Sequence, residues 1–323
     1  MKRMYYWDLS RQDLVLVKRD YLNAFARNIK DVNLKNGHIR VGLQTRWENW
    51  LNQYGAGRKL PKKIAYLLVA DFGRLADVHD EFKKLHLSKT IIQGGVEVDN
   101  PAWIELTDIF KYTNGHDTRI ANFFIDHAER LKIKTCYYCE MAYVNTYSYW
   151  DQGTMVTRRQ FDVDHFLPKD DCPLLALSLF NFVPSCQVCN SRIKLEAIPG
   201  SGKTEYKQFA PCSKDADYEN NIQIKLRPKY ENGHLKDRYI HFKTKKPYDS
   251  YVKFFHLEER YEFHKVEAVR LNRLQKRYPD VKIRSIAKLL HYKPAIVKED
   301  IFHLKYKQQE GRCFGKMTRD ILK

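Results

Sequence analysis

The chain has 323 residues, 43% apolar and 30% charged, which suits about two folded domains with a buried core and excludes a disordered polar chain. Lys and Arg number 57 against 39 Asp and Glu, a formal charge of +18 with a pI near 9.4. That surplus argues against a basic partner and favours a polyanion, nucleic acid before an acidic membrane surface.

No window approaches the ~18 consecutive apolar residues of a membrane span, and the opening Met1–Asp8 has no signal-peptide core. A cytoplasmic chain is therefore expected. Seven cysteines is an odd number, and four of them fall into two Cys-x-x-Cys pairs. In a reducing compartment this arrangement favours metal ligation over disulfides.

Residues 1–132 read as mainly helical. Ile64, Leu67, Leu68, Phe72, Leu75, Val78, Phe82 and Leu85 recur at three- and four-residue intervals and mark one apolar stripe. Pro101 suits the first turn of a helix, and Gly94-Gly95 and Asn114-Gly115 punctuate the region as loops. A second stripe, Ile120, Phe123, Phe124, Ala128 and Leu131, follows Asp117 or Thr118 as the expected N-cap.

Residues 133–200 carry the chemistry. Cys136/Cys139 and Cys186/Cys189 are two pairs whose thiolates can each reach one ion from a tight turn, and together they complete a four-sulfur tetrahedral site that suits zinc. The 46 residues between the pairs exceed ribbon spacing, so they must hold structure of their own. Cys172, Cys212 and Cys313 lack such pairing and read as packing residues. The segment from Ala142 to Arg159 is rich in Tyr and ends in Arg158-Arg159; it suits either contact with nucleic acid or a plain decorated hairpin. Residues 159–165 alternate like a strand and turn at Pro168, and the apolar run 173–182 is expected to be helical. Ala197-Ile-Pro-Gly-Ser-Gly-Lys-Thr204 nearly spells a phosphate-binding loop, but Ala replaces the first Gly and a predicted helix, not a strand, precedes it. It reads as a loop.

Residues 201–323 form a basic region. Ile222, Ile224 and Leu226 alternate with polar residues, Asn232-Gly233 signals a turn, and Tyr239–Phe242 supplies the return strand of a hairpin. Helical spacing returns from about 249, with breaks near Pro279 and Pro294. The last sixty residues hold 16 Lys/Arg against 6 Asp/Glu, which fits a surface gripping a phosphate backbone or, more simply, a solvated helix face.

Asp164-His165, Asn181 and Cys186-x-x-Cys189-Asn190 together resemble the HNH endonucleases, in their subgroup with four zinc-binding cysteines. The resemblance implies an α+β chain: a ββα-metal core at 133–200 with structural zinc, flanked by the mainly helical 1–132 and the basic hairpin-plus-helices region 201–323. It implies His165 as general base, a task that suits an imidazole. Asp164 and Asn190 would hold the catalytic divalent ion, Mg²⁺ or Mn²⁺, and leave room for a phosphate oxygen and the leaving oxygen. Asn181 would pin the loop behind His165, Arg192 or Lys194 would hold phosphate, and Asp162 would orient or be solvated. The substrate implied is nucleic acid, DNA ahead of RNA. More loosely, residues 255–265 look like a segment that follows this unit in bacterial anti-phage nucleases such as the Septu nuclease subunit, which works beside an ATPase, so a regulatory protein subunit is expected. The rival reading is a catalytically silent zinc module that only binds nucleic acid or protein. A binding module has no need for His165 beside Asp164, and that residue separates the two.

Overall fold

Side-chain caps from Ser10, Asp71 and Asn100 open three of the N-terminal helices. The computed structural model describes residues 1–34, 38–55, 57–113, 115–302 and 311–322. Ser10 accepts from the Asp13 amide and opens α1 (Arg11–Ile29), whose buried face is Val17, Tyr21 and Phe25. A minimal pair, β1 (Val32–Asn33) and β2 (Ile39–Arg40), leads to α2 (Leu43–Tyr54), which buries Trp47 and Trp50. The stripe expected as one run over 64–85 is two helices, α3 (Ile64–Val69) and α4 (Phe72–Lys83). Asp71 divides them, because its carboxylate accepts from the Arg74 amide and starts a new helix.

Gly94-Gly95, expected as a loop, turns a hairpin of β3 (Thr90–Gln93) and β4 (Val96–Asp99), with both glycines at positive φ. Asn100 caps α5 (Pro101–Ile109), with Pro101 in its first turn. Helix α6 (His116–Asp126) starts ahead of the expected Asp117 or Thr118 cap. Gly115, at φ 84°, stands at the N-cap position and offers no side-chain oxygen. Asn114, the other half of that loop signal, lies outside the described residues.

Next come the hairpin β5 (Thr146–Asp151) and β6 (Thr154–Arg159), then the antiparallel pair β7 (Asp162–His165) and β8 (Phe182–Ser185), and a π-helical segment at Val188–Lys194. The strand expected across 159–165 therefore breaks at Gln160-Phe161. After α7 (Lys203–Phe209) and α8 (Tyr218–Asn221), β9 (Ile222–Glu231) and β10 (His234–Thr244) form the expected hairpin over Asn232-Gly233. The chain closes with α9 (Tyr248–Phe254), α10 (Leu257–Glu262), α11 (Lys265–Arg277), α12 (Asp280–Leu289), α13 (Pro294–Phe302) and α14 (Gly315–Leu322), with Pro279 and Pro294 at the expected breaks.

The class is mixed α+β. Among the described residues every sheet is two-stranded, so helices and loops supply most of the core. One buried cluster runs from Met4 and Trp47 through Phe72, Phe166 and Phe182 to Tyr261 and Met317, and a small satellite joins Ile283, Ala287, Val297 and Phe302. No described helix is long and apolar enough to cross a membrane.

The run 173–182, expected as a helix, is two 3₁₀ turns, Pro173–Leu175 and Leu179–Asn181, that pass into β8. Anchors from outside hold it open. Tyr21 donates to the Leu177 carbonyl (2.7 Å), Ser178 donates to the Leu67 carbonyl (2.8 Å), and Phe72 packs edge-on to Phe166 (5.3 Å). At the loop's other end Asp171 accepts from His79 (2.7 Å) and Lys83, both on α4.

Those two partners hold the Asp171 carboxyl down at about 2, the His79 hydrogen bond being the larger cause. The usual value is about 3.9, so this stabilisation is complete above pH ~4 and fades as pH falls through ~2. Asp171→Asn is expected to lose about 1.5–3 kcal/mol in urea unfolding at pH 7, the scale of charge-assisted hydrogen bonds. The gap from the parent chain should narrow by pH 2; an unchanged gap there would refute the ionic origin.

Candidate metal centre and adjoining polar pocket

The two cysteine pairs arrive from opposite sides. Cys136 and Cys139 sit on a turn that closes by Glu140 N–H to the Cys136 carbonyl (2.9 Å), with Cys136 N–H bonded to the Ala142 carbonyl (2.9 Å). Glu140 takes a positive φ of 56°, which bends the chain sharply after the second thiol. The second pair straddles the start of the Val188–Lys194 segment, where Asn190 N–H bonds back to the Cys186 carbonyl (3.0 Å). Strand β8 delivers Cys186 to this place directly.

All four sulfurs lie within 4.8 Å of one another, and Cys139 Sγ stands 3.9 Å from Cys186 Sγ. Two thiolates on one zinc at ~2.3 Å each would stand about 3.8 Å apart in a tetrahedron, so four such donors could hold a metal ion such as zinc. The thiols themselves call for a cation. Burial holds Cys136 well above the usual thiol range, whereas a hydrogen bond from Cys136 brings Cys139 down to about 7 and hydrogen bonds from both drive Cys186 down. Against the pull of its contact with Cys136, contacts with Cys139 and Cys186 raise Cys189, so the four thiols titrate unequally.

Residues after 250 cover this cluster. Arg260 Nη1 stands 3.5 Å from Cys189 Sγ, Tyr261 donates to the Cys139 carbonyl (2.6 Å), and Tyr251 donates to the Tyr138 carbonyl (3.1 Å). Phe255 stacks on Tyr138 at 4.8 Å. The 255–265 segment therefore caps the cysteine cluster and places a positive charge beside the Cys189 sulfur. Spacing alone gives no sign of Arg260; proximity in space does. Cys172 and Cys212 are fully buried, as packing residues should be, and Cys313 is half-buried.

Beside the cluster a pocket of about 180 Å³ is lined by Asp164, His165, Asn190, Lys169, Asp170 and Glu196, among others. Strand β7 brings the first two, and the helical segment after Cys189 brings Asn190. His165 Nε2 donates to the Ala176 carbonyl (2.9 Å), because a carbonyl can only accept. The neutral ring then carries its lone pair on Nδ1. Tyr112 packs edge-on to the imidazole at 4.8 Å and Phe182 lies against it at 4.8 Å. Burial lowers its pKa to about 4, so the ring is neutral at physiological pH.

Asn181 is fully buried and clamps the loop behind His165. Its Oδ1 accepts from Leu167 N–H (2.8 Å), and its Nδ2 donates to the carbonyls of Leu167 (2.9 Å) and Leu175 (3.2 Å). Asn190 Nδ2 donates to Asp162 (3.1 Å), so the amide oxygen is the atom of Asn190 that could serve as a ligand. Asp162 therefore orients Asn190.

Asp164 is buried and engaged. Tyr138 donates to it at 2.5 Å, and the Lys194 ammonium lies 3.2 Å away. Burial raises its pKa against the pull of Lys194. Lys194, expected as a surface cation for phosphate, has no exposed side chain and also donates to the His165 carbonyl (2.7 Å). The helical segment turns it inward, because buried Asp164 needs a counter-charge. Arg192 stays exposed. The donors fit a hard divalent ion by type, a carboxylate and an amide oxygen, with Lys194 as resident competitor for Asp164.

In the loop at 197–204, α7 does open at Lys203, but no strand precedes it, and Lys203 pairs with Asp77 (3.4 Å) and Asp80 (3.8 Å). Phosphate would meet carboxylates there.

Purified protein is expected to contain about one zinc per chain by metal analysis, and Cys136→Ser to lose it together with cooperative unfolding. Metal-free protein that melts like the parent would exclude a structural ion. Comparison of the chain with protein-family models, with curated proteins and with solved structures yields no match.

Proposed function

We propose that this chain is a metal-dependent endonuclease of the HNH type that hydrolyses phosphodiester bonds in nucleic acid, DNA ahead of RNA. The observation that supports it most is the His165 tautomer. With Nε2–H committed to the Ala176 carbonyl, Nδ1 is left as a base in a pocket shared with Asp164 and Asn190. On this reading the lone pair on Nδ1 takes a proton from the attacking water, a contribution of typically 10²–10⁴-fold. Asp164 and the Asn190 amide oxygen would hold Mg²⁺ or Mn²⁺, which when bound supplies charge neutralisation at the phosphate and at the leaving oxygen.

The remaining residues support those two. Asn181 fixes the loop whose Ala176 carbonyl sets the tautomer, and Asp162 turns the Asn190 amide so that its oxygen is free. The four cysteines, binding zinc, hold the start of the helical segment and so the position of Asn190. The charge of +18 draws the polyanion. A cytoplasmic role in anti-phage defence, beside a regulatory ATPase, follows from the family likeness of residues 255–265.

One observation favours the rival, a silent zinc-bound module: the buried Lys194 ammonium neutralises Asp164 with no added ion. Plasmid cleavage separates the two. His165→Ala is expected to cut at least 10²-fold more slowly in Mg²⁺ or Mn²⁺, with unchanged zinc content and DNA binding. Undiminished cutting by that variant would refute the mechanism, and a parent chain that binds but never cuts would establish the module.

A further inference from the structure

Strands β5 and β6 form a hairpin whose large side chains face solvent. Tyr147 is 46% exposed, Tyr149 40%, Trp150 70% and Met155 53%. An isolated two-stranded hairpin is marginal in water, so burying such residues would have stabilised it. They are exposed instead, Trp150 and Met155 on one face of the hairpin and Tyr147 and Tyr149 on the other.

Pairing sorts the residues by face. Tyr147 lies opposite Arg158 and Tyr149 opposite Val156, so these four share one face. The two tyrosine rings run along it nearly parallel, with centroids 6.1 Å apart and 23° between planes. Arg158 is exposed beside them, and Asp151, on the same face, stands away at the tip.

The hairpin leads along the chain into the strand that carries Asp164 and His165. Only Gln160 and Phe161 separate β6 from β7, and the Arg159 guanidinium donates to the Phe161 carbonyl. A strand laid along the Tyr147–Tyr149 face would have its phosphates beside Arg158, whereas Arg159, opposite Thr146, belongs to the other face.

We propose that this face is a stacking platform for single-stranded DNA; it rests on the reading that the chain acts on nucleic acid. Two parallel tyrosines with an adjacent arginine suit exposed bases and their backbone, with no preference among sequences. Duplex DNA hides its base faces in its own stack and gains little from such a platform.

The test reads binding rather than cutting, so it stands apart from the nuclease reading. Full-length His165→Ala protein, without added divalent metal, is titrated into a labelled oligothymidylate and into a duplex of equal length, with anisotropy as readout. Adding Tyr147→Ala and Tyr149→Ala is expected to weaken the single strand by at least about tenfold and the duplex by less than about threefold. The Tyr147→Phe, Tyr149→Phe pair should bind like the tyrosine parent, and far-UV circular dichroism should show each variant folded. Equal loss on both DNAs, no loss on either, or loss in the Phe pair would overturn the platform. So would a parent chain with no affinity for the single strand, an outcome that would leave this face to a protein partner.

Discussion

Four thiols brought within 4.8 Å of one another impose the constraint on which the site depends. Sulfurs that close cannot all ionise unless a cation sits among them, and in their protonated form they trade hydrogen bonds unequally. The fold surrounds them accordingly. Arg260 stands against Cys189, the Met141 amide points at Cys139 (3.4 Å), and Tyr251 and Tyr261 tie down the carbonyls of the first turn. Because Cys189 and Asn190 are consecutive, fixing the sulfur fixes the start of the segment that carries Asn190 and Lys194. Because Tyr138 lies inside the first pair, fixing that turn also delivers a hydroxyl to Asp164. Cluster and pocket are thus coupled twice, once through each cysteine pair.

The Asp164–Lys194 pair is the second constraint, and its energetics run both ways. Two charges removed from water cost several kcal/mol each, and their attraction offsets this only when the remaining hydrogen bonds are made. Here they are made, by Tyr138 on the acid and the His165 carbonyl on the ammonium. Removing one partner of such a pair typically costs about 3–5 kcal/mol, because the other is left buried and unpaired. A divalent ion at Asp164 would add charge where a counter-charge already exists. On the proposed reading, its affinity therefore depends on how far the ammonium retreats toward the His165 carbonyl.

Local signals were legible in the sequence where one residue type has one use. Pro101, Gly94-Gly95 and Asn232-Gly233 fell where the fold has a helix start and two hairpin turns, and the two Cys-x-x-Cys pairs meet in space as their spacing implied. Periodicity alone misled at two places. It carried one helix through Asp71, where a cap begins another, and it made a helix of 173–182, whose apolar residues are buried by neighbours in space rather than by a helical stripe. The partners of Asp164 were not legible, since Tyr138 and Lys194 lie 26 and 30 residues from it and neither spacing carries meaning along the chain. Lys194 in particular read as a surface cation, because lysine is rarely buried without a partner and the partner is visible only in three dimensions.

The failure of 173–182 to become a helix is what sets the chemistry of the pocket. In a continuous helix the Ala176 carbonyl would be taken by the amide four residues on, as every interior carbonyl is. The 3₁₀ turns interrupt that ladder and leave the oxygen to accept from His165 Nε2. Keeping the turns open requires substitutes for the missing ladder: the run's own Asn181 amide serves the Leu175 carbonyl, the Tyr21 hydroxyl of α1 serves the Leu177 carbonyl, and Ser178 ties the run to α3. Helices α1 and α3 therefore act on the pocket at one remove. They hold an irregular loop whose Ala176 carbonyl decides which nitrogen of His165 carries the proton.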